Sequence, residues 1–223
     1  PQTAARSSLD GALRDRLRVA EHAIGRLELA GGMVTSLDWF LYGVVRKEAV
    51  LAAQSEGTQA TLLDLLVHEA QEQEGKAPED MDIEEVCNYL DAIDHARNQM
   101  AKPNGLPLSM RLLNETHARL MRGAKDADKR PGEIRRSQNW VGGTRPGNAV
   151  FVPPPPEALA GLLTGLERSI HATDPLPPLV RAGLLHVQFE TIHPYLDGNG
   201  RIGRLLITLL LEHWELLTRP LLY

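Results

Sequence analysis

Apolar residues recur at helical spacing along most of the chain, and this pattern predicts a protein built mainly of α-helices. The strongest pattern lies on either side of one short polar loop, over residues 179–191 and 200–217. Pro194 disfavours helical geometry in the residue before it, so the first of these helices should end near His193. The second helix should then begin at the end of the loop, which places the loop at a helix N-terminus.

Weaker helical periodicity predicts further helices upstream, with glycine, proline and charged residues between them. Gly31-Gly32 should end the first helix and Gly57 the second, because glycine is a common C-terminal stop. The intervals 71–82 and 101–107 are predicted as loops, and a charged stretch at 124–131 as an exposed loop. The predicted helices are residues 1–30, 36–55, a helix after Thr58, 83–100, 108–122 and 157–169.

Residues 137–152 have a different character, and we call them the flap segment. Two short β-favouring runs flank a turn-rich sequence at 144–148, which predicts a small β-hairpin. The expected fold is therefore an all-α bundle with one small hairpin. We divide it into an N-terminal helical region at 1–106 and a core at 107–223 that holds the flap segment and the loop.

Composition excludes several classes of protein. The net charge of −5 argues against a general nucleic-acid surface, which is normally basic. The single cysteine, Cys87, cannot form an internal disulfide and is expected to be a buried apolar residue. No apolar run reaches membrane-spanning length and no signal peptide is visible, so we expect a cytoplasmic location and no membrane partner. The start at Pro1 and the apolar end at Tyr223 suggest a longer natural protein.

The loop at 193–204 combines features that suit a polyphosphate. The first N–H groups of a helix lack partners and carry partial positive charge, so they bind anions. Glycines allow a phosphate to approach the backbone, and planar guanidinium groups match phosphate oxygens in pairs. The residues concerned are Gly198, Gly200, Gly203, Arg201 and Arg204.

The same loop contains a carboxylate and a base. Asp197 among phosphate ligands is a reasonable metal ligand, since hard divalent ions bridge carboxylate and phosphate oxygens. His193 can accept a proton from a hydroxyl at neutral pH. Taken singly, these residues have ordinary explanations: a helix terminator, a turn and a solvated arginine pair. Together at one helix start, they suggest transfer of a nucleotide phosphate to a hydroxyl.

The loop reads His193-Pro-Tyr-Leu-Asp-Gly-Asn-Gly-Arg-Ile-Gly-Arg204, which resembles the signature of the Fic family. That signature is His-Pro-Phe-x-Asp/Glu-Gly-Asn-Gly-Arg-x-x-Arg, and Tyr195 replaces its phenylalanine. The resemblance implies a helical fold and transfer of AMP from ATP to a protein hydroxyl. The intact glycines favour AMP transfer over the phosphate transfer of the similar Doc-type kinases.

The resemblance also assigns roles to residues of the loop. His193 would be the general base, Asp197 would bind Mg²⁺, and ATP would be the co-substrate. Tyr195 would anchor the loop in the core. The anion hole would be formed by Gly198, Asn199 and Gly200, and the outer phosphates would be held by Arg201 and Arg204.

The resemblance also implies a role for a second segment, the helix that ends at Glu56. By periodicity alone, Glu56 is a solvated carboxylate in the last turn of a helix, where the helix dipole disfavours it. Many Fic proteins carry an inhibitory helix ending Ser/Thr-x-x-x-Glu-Gly/Asn, and Glu56-Gly57 matches that end. The helix at about 36–57 would then inhibit through Glu56 on Arg204, in the place of the ATP γ-phosphate. Ala52 stands at the Ser/Thr position, which suggests either weaker inhibition or inhibition set by other contacts.

The flap segment would cover the active site in such a protein. There it could align a target protein, or a second copy of the chain, by strand addition. A surface hairpin without a role is the alternative on sequence alone. The docking residues would be Trp140, Val141, Gly142, Gly143, Ala149, Val150 and Phe151.

Three functions follow from these patterns. The first is a protein adenylyltransferase, inhibited by Glu56 and acting on a Ser, Thr or Tyr hydroxyl of a target protein. The second keeps the fold but removes AMP from a modified protein, with Glu56 positioning water. The third is a nucleotide-binding regulator with little turnover. A homodimer is compatible with all three.

Overall fold

The computed structural model describes residues 11–33, 36–76, 80–123 and 129–218. The regular secondary structure of these residues is nearly all helical, as the apolar pattern predicts. The predicted loop at 124–131 lies largely outside the described residues. The α-helices are α1 (Gly11–Met33), α2 (Leu37–Gln54), α3 (Leu62–Gln73), α4 (Met81–Ala101), α5 (Met110–Leu120), α6 (Pro156–His171), α7 (Pro178–Ile192) and α8 (Asn199–His213).

Local sequence explains where several helices begin. Thr61 and Asp64 form a reciprocal capping box at the start of α3, which satisfies two backbone N–H groups. The side chains of Asp80 and Ser109 accept N–H groups in the first turns of α4 and α5. Both α6 and α7 begin with a proline, whose fixed φ suits the first helical position.

Two predicted boundaries are wrong. Helix α1 continues through Gly31-Gly32 to Met33, because glycine weakens a helix without removing its backbone hydrogen bonds. Helix α8 ends at His213 rather than at Leu217. The chain turns at Glu215 (φ 57°), and Leu217 is buried in the core after the turn. Its apolar character therefore reflects burial rather than helical periodicity.

The core is continuous across the two predicted regions of the chain. Helix α4 packs against α2, α5 and α8, and α8 packs against α7. Helix α2 contributes Ala49 and Ala53 to the same hydrophobic cluster that contains Ile202 and Leu206 of α8. No helix among the described residues is long and apolar enough to cross a membrane.

The flap segment is less regular than predicted. Among its described residues, pairing is limited to one isolated antiparallel bridge between Val141 and Phe151, with N–H···O distances of 2.9 and 3.2 Å. Gly142 and Gly143 follow at once with φ of 69° and 70°, which ends the extended conformation. A regular β-hairpin is therefore not formed, and a short 3₁₀ turn at Pro146–Asn148 closes the loop.

Candidate active site

His193 ends α7 and lies at the entrance of the loop. Its backbone is left-handed (φ 51°, ψ 63°), and its N–H donates to Phe189 O at 2.9 Å. Its Nδ1 lies 3.3 Å from Glu190 O. A carbonyl can only accept, so Nδ1 carries the proton and Nε2 keeps its lone pair. Burial lowers the pKa of His193, which keeps the ring neutral at neutral pH and suits it to accept a proton.

The loop turns into α8 at Gly198, where φ is 72°. A Cβ at this position would lie 3.0 Å from Met121 Sδ, so both the backbone and the space favour glycine. The first hydrogen bond of α8 runs from Ile202 N–H to Gly198 O at 3.1 Å. The N–H groups of Asn199 and Gly200 precede it and form the positive end of the helix.

The Arg201 side chain is buried beside this helix end. The residue is 6% exposed, and its Nη2 approaches Met121 Sδ at 3.5 Å. Among the described residues, Arg201 Nε is buried without a hydrogen-bond acceptor. A buried cation with an unpaired donor is costly in free energy, so this arrangement fits an anionic ligand such as a phosphate.

Arg204 is held by the end of α2. Its Nη2 donates to Glu56 Oε1 at 3.0 Å and to Ser55 Oγ at 2.9 Å. A Cβ built on Gly200 would lie 3.3 Å from the same Glu56 oxygen. The protein's own carboxylate therefore lies over the start of α8, where free N–H groups and an arginine converge.

Gly57 explains how Glu56 comes to lie over the start of α8. Gly57 has a φ of 106°, and its N–H donates to Gln54 O at 3.0 Å. Thr58 N–H donates to Ala53 O at 3.3 Å, which completes a Schellman-type ending of α2. The ending directs Glu56 away from the helix axis and towards Arg204.

Ser55 is a residue of the site that the sequence pattern does not indicate. Its hydroxyl donates to Ala52 O at 2.7 Å and accepts from Arg204, so this turn still offers a hydroxyl although position 52 is alanine. The signal that could identify it is its position directly before Glu56. The family pattern points to position 52 instead.

Asp197 lies at the exposed side of the loop. Its Oδ1 accepts the N–H of Gly198 at 2.6 Å, and its Oδ2 lies 3.9 Å from Lys129 Nζ. The described residues contain no cluster of three or more His, Cys, Asp or Glu side chains that could hold a metal ion. A single carboxylate fits Mg²⁺ held jointly by the protein and substrate phosphates, since Mg²⁺ commonly binds in this way.

Tyr195 lies in the core beneath the loop. Its side chain is fully buried, its hydroxyl donates to Asn114 Oδ1 at 2.9 Å, and burial raises its pKa. The side chain of Asn199 bonds both the N–H and the C=O of Tyr195 at 2.9 Å, which closes the loop on itself. The side-chain oxygen and one side-chain N–H of Asn199 are therefore engaged within the loop.

His117 is a further residue that sequence reasoning misses. Its ring stacks on Tyr195, with centroids 3.9 Å apart and planes 7° apart. Gly132 N–H donates to Nδ1 at 2.8 Å, so the proton is on Nε2, which donates to Asp197 O at 3.0 Å. Burial lowers the pKa of His117 to about 4, so the ring is neutral. No local pattern marks a residue 80 positions before its partner.

The flap segment is attached to the loop at its base. Asn139 Nδ2 donates to Tyr195 O at 3.0 Å, and Gln138 Nε2 donates to Pro153 O at 2.9 Å. Ala149 is half-buried, whereas the other predicted docking residues are exposed. The apolar ones reach fractions of 39% for Trp140, 40% for Val141, 87% for Val150 and 40% for Phe151.

The class of protein is indicated by a helical bundle in which a glycine-containing loop precedes α8 and faces the carboxylate of Glu56, in the turn after α2. Residues 107–211 match the Fic/DOC family, and residues 14–98 match the N-terminal region of that family. The chain therefore belongs to the Fic/DOC family.

Among characterised relatives, the chain is similar to the protein adenylyltransferase Fic of Drosophila yakuba, with 43% identity over 82 residues. That match spans 36% of this chain and 15% of the relative. The protein adenylyltransferase Fic of Drosophila erecta is 35% identical over 108 residues, which are 48% of this chain and 20% of the relative. The chain thus matches a small part of the length of these relatives.

Solved structures show the same fold. A Fic family protein from Desulfovibrio desulfuricans superposes with a TM-score of 0.65 and 28% identity, over 93% of this chain and 59% of the other. A Fic-domain signalling protein from Bacteroides thetaiotaomicron gives a TM-score of 0.70 at 20% identity, over 87% and 72% of the two chains.

Proposed function

We propose that this protein is a protein adenylyltransferase that transfers AMP from ATP to a Ser, Thr or Tyr hydroxyl of a target protein. The observation that carries the proposal is the carboxylate of Glu56 on Arg204, 3.0 Å away at the start of α8. A site that holds an internal anion has the charge and donors for an external one. The unpaired Nε of Arg201 supports the same conclusion.

The reaction follows from the positions of these groups. The N–H groups at the start of α8, with Arg201 and Arg204, bind the phosphates of ATP and fix the α-phosphorus near His193. Nε2 of His193 takes the proton of the acceptor hydroxyl, whose oxygen bonds to the α-phosphorus. The bond from that phosphorus to the bridging oxygen breaks, and pyrophosphate leaves. Mg²⁺ held by Asp197 would supply charge neutralisation on the phosphate oxygens.

Inhibition and target docking complete the proposal. Glu56 occupies donors of Arg204 that the terminal phosphate of ATP would need, so the two anions compete for one guanidinium. The exposed main chain and apolar side chains of the flap segment hold the target, or a second copy of this chain, beside His193.

The test uses labelled ATP and self-modification, because the target is unidentified. The Glu56→Gly variant should incorporate [α-³²P]AMP faster than the wild type and bind ATP more tightly. Adding His193→Ala in that background should reduce incorporation by roughly 10²–10⁴-fold, the usual contribution of a general base. ATP affinity should remain, since His193 does not contact the outer phosphates. Full incorporation in the double variant would overturn the mechanism.

A second activity, removal of AMP, is favoured by one observation. Oε1 of Glu56 accepts from Arg204 Nη2 at 3.0 Å, and the side chain is 33% exposed, so water can reach the carboxylate. Self-modified Glu56→Gly protein provides a substrate for the test. AMP released on adding wild-type protein, and not on adding Glu56→Gly protein, would support removal.

A further inference from the structure

Arg135 is a buried arginine whose guanidinium hydrogen bonds all end on main-chain carbonyls. The residue is 2% exposed. Nε donates to His193 O at 2.8 Å, and Nη1 donates to Ser137 O at 3.1 Å. Nη2 donates to Pro154 O at 2.5 Å and to Ile192 O at 3.4 Å. Burial lowers the pKa of Arg135, but a guanidinium starts so high that it remains charged.

The carbonyl groups at the end of α7 explain why the guanidinium of Arg135 lies beside them. The last carbonyls of a helix lack intrahelical partners and carry partial negative charge. Pro194 has no N–H, so it cannot close the turn by hydrogen bonding. Arg135 supplies the missing donors to Ile192 and His193, and its own N–H donates to Pro194 O at 2.9 Å. Three consecutive carbonyls at the base of the loop are therefore bound by one residue.

These contacts matter because His193 is in an unfavourable conformation. A non-glycine residue in left-handed geometry is strained, and it persists only when its surroundings hold it. Rotation about ψ of His193 would move its carbonyl away from Arg135 Nε. The guanidinium therefore stabilises the backbone geometry that directs the imidazole into the site.

The other two acceptors belong to the flap segment and its continuation. Ser137 lies at the start of the segment, and Pro154 lies two residues beyond its end at Val152. The guanidinium of Arg135 thus binds both ends of the flap segment and the carbonyl oxygen of His193. Asn139, which donates to Tyr195 O, fastens the same segment to the loop a second time.

We propose that Arg135 is a positioning residue that fixes the general base and the target-docking flap segment relative to each other. It touches neither nucleotide nor acceptor and acts through His193. The proposal rests on the proposed function, because it assigns His193 the role of base. A guanidinium is required because its planar fork reaches several carbonyls at once, which a point-like ammonium cannot do.

The kinetic test is made in the Glu56→Gly protein, with self-modification by labelled ATP as the readout. Arg135→Met should lower the rate at saturating ATP by roughly a hundredfold, the effect of misplacing a catalytic group by about 1 Å. The ATP concentration for half-maximal rate should stay near the parent value, because Arg135 does not contact the phosphate site. Arg135→Lys should retain the charge but recover only part of the rate.

A matched control separates positioning from general destabilisation. Arg97→Met removes another arginine, which is partly buried and pairs with Glu212 at 3.0 Å, away from the loop, and should leave the rate unchanged. An unchanged rate in Arg135→Met, or an equal loss in Arg97→Met, would overturn the proposal. If Arg135→Met does not fold, Arg135→Lys carries the test, and full activity in that variant would equally overturn the positioning role.

A spectroscopic readout distinguishes failure of this inference from failure of the proposed function. Long-range ¹H–¹⁵N NMR of the imidazole should show the Nδ1–H tautomer of His193 in the parent protein. Arg135→Met should mix the two tautomers, because the ring loses its fixed distance to Glu190 O. This measurement needs no AMP transfer, so an unchanged tautomer would overturn the positioning role even if the activity itself were absent.

Discussion

Arg204 donates hydrogen bonds to three oxygen atoms of a single turn, the one at the end of α2. The carboxylate of Glu56 supplies charge, and the hydroxyl of Ser55 and the carbonyl of Ala52 supply neutral acceptors. Because hydrogen bonds to charged groups contribute about 1.5–3 kcal/mol, the neutral contacts are not negligible beside the ion pair. Under the proposed inhibition, its strength would therefore depend on the whole turn rather than on Glu56 alone.

We expect Ser55→Ala to release part of this inhibition. Loss of a hydrogen bond to a charged group, worth about 1.5 kcal/mol, should raise the rate of self-modification roughly tenfold, below the gain from Glu56→Gly. Incorporation of labelled AMP into the three proteins measures the difference. Ser169→Ala is the control, because Ser169 makes a similar bond to Gly165 O within α6. A wild-type rate in Ser55→Ala would assign the anchoring to Glu56 alone.

His193 leads to a prediction about pH. Burial lowers its pKa, so the imidazole becomes protonated only below its ordinary value of about 6.5. A protonated ring cannot accept the hydroxyl proton, so the rate should fall as pH decreases through this lowered value. In the Glu56→Gly protein, the midpoint of the fall in the rate at saturating ATP should therefore lie below about pH 6.5. A midpoint at or above about pH 6.5 would contradict the assignment of base and pKa.

The residues of the loop could be predicted because their chemistry lies within twelve consecutive positions. Arg135, His117 and Ser55 act on the same loop, but each does so through contacts that depend on tertiary structure. Arg135 lies 58 residues from the carbonyl that its Nε binds. Sequence periodicity describes which face of a helix is buried, and it contains no information on such pairings.

At the scale of elements, the turn after α2 determines where the carboxylate of Glu56 lies. Gly57 has positive φ, which an L-residue adopts at a cost, whereas Gly43 lies on the exposed face of α2 with open space around it. The turn at Gly57 therefore requires glycine, whereas nothing around Gly43 does. The sequence predicts the stop at Gly57, but the same reasoning fails at Gly31-Gly32, because the glycines alone do not specify φ.

Alanine substitutions at these glycines should therefore have opposite effects. Gly57→Ala should lower the free energy of unfolding by about 1–2 kcal/mol, because alanine is strained at the positive φ of this turn. The same strain should displace Glu56 and so raise self-modification. Gly43→Ala should raise stability by about 0.5–1 kcal/mol without changing activity. Urea denaturation and labelled-AMP incorporation measure both. Equal effects from the two substitutions would show that the turn does not control Glu56.

At the scale of the whole molecule, His117 connects α5, the segment at Gly132 and the loop. It must remain neutral, because its Nδ1 accepts from Gly132 N–H. Its folded-state pKa of about 4 lies below the ordinary value of 6.5, so the unfolded chain binds the proton more readily between these values. Stability is therefore lost as pH falls from 6.5 towards 4.

The expected loss is about 3 kcal/mol over that range, since each pKa unit corresponds to about 1.4 kcal/mol. His117→Gln keeps a donor and an acceptor but cannot titrate, so its stability should depend less steeply on pH. Urea denaturation at pH 7, 5.5 and 4.5 gives the two curves. Parallel curves would mean that His117 titrates alike in the folded and unfolded chains, in conflict with the burial of its ring.

The shared hydrophobic core limits how far α2 can move. Helix α2 is built into the interior through Ala49 and Ala53, which are 0% and 1% exposed, so withdrawing the whole helix would open the centre of the protein. Only the turn from Ser55 to Gly57 is accessible enough to open locally at low cost. Under the proposed inhibition, we expect activation to require fraying of this single turn. We expect deletion of the N-terminal region to unfold the protein instead of activating it.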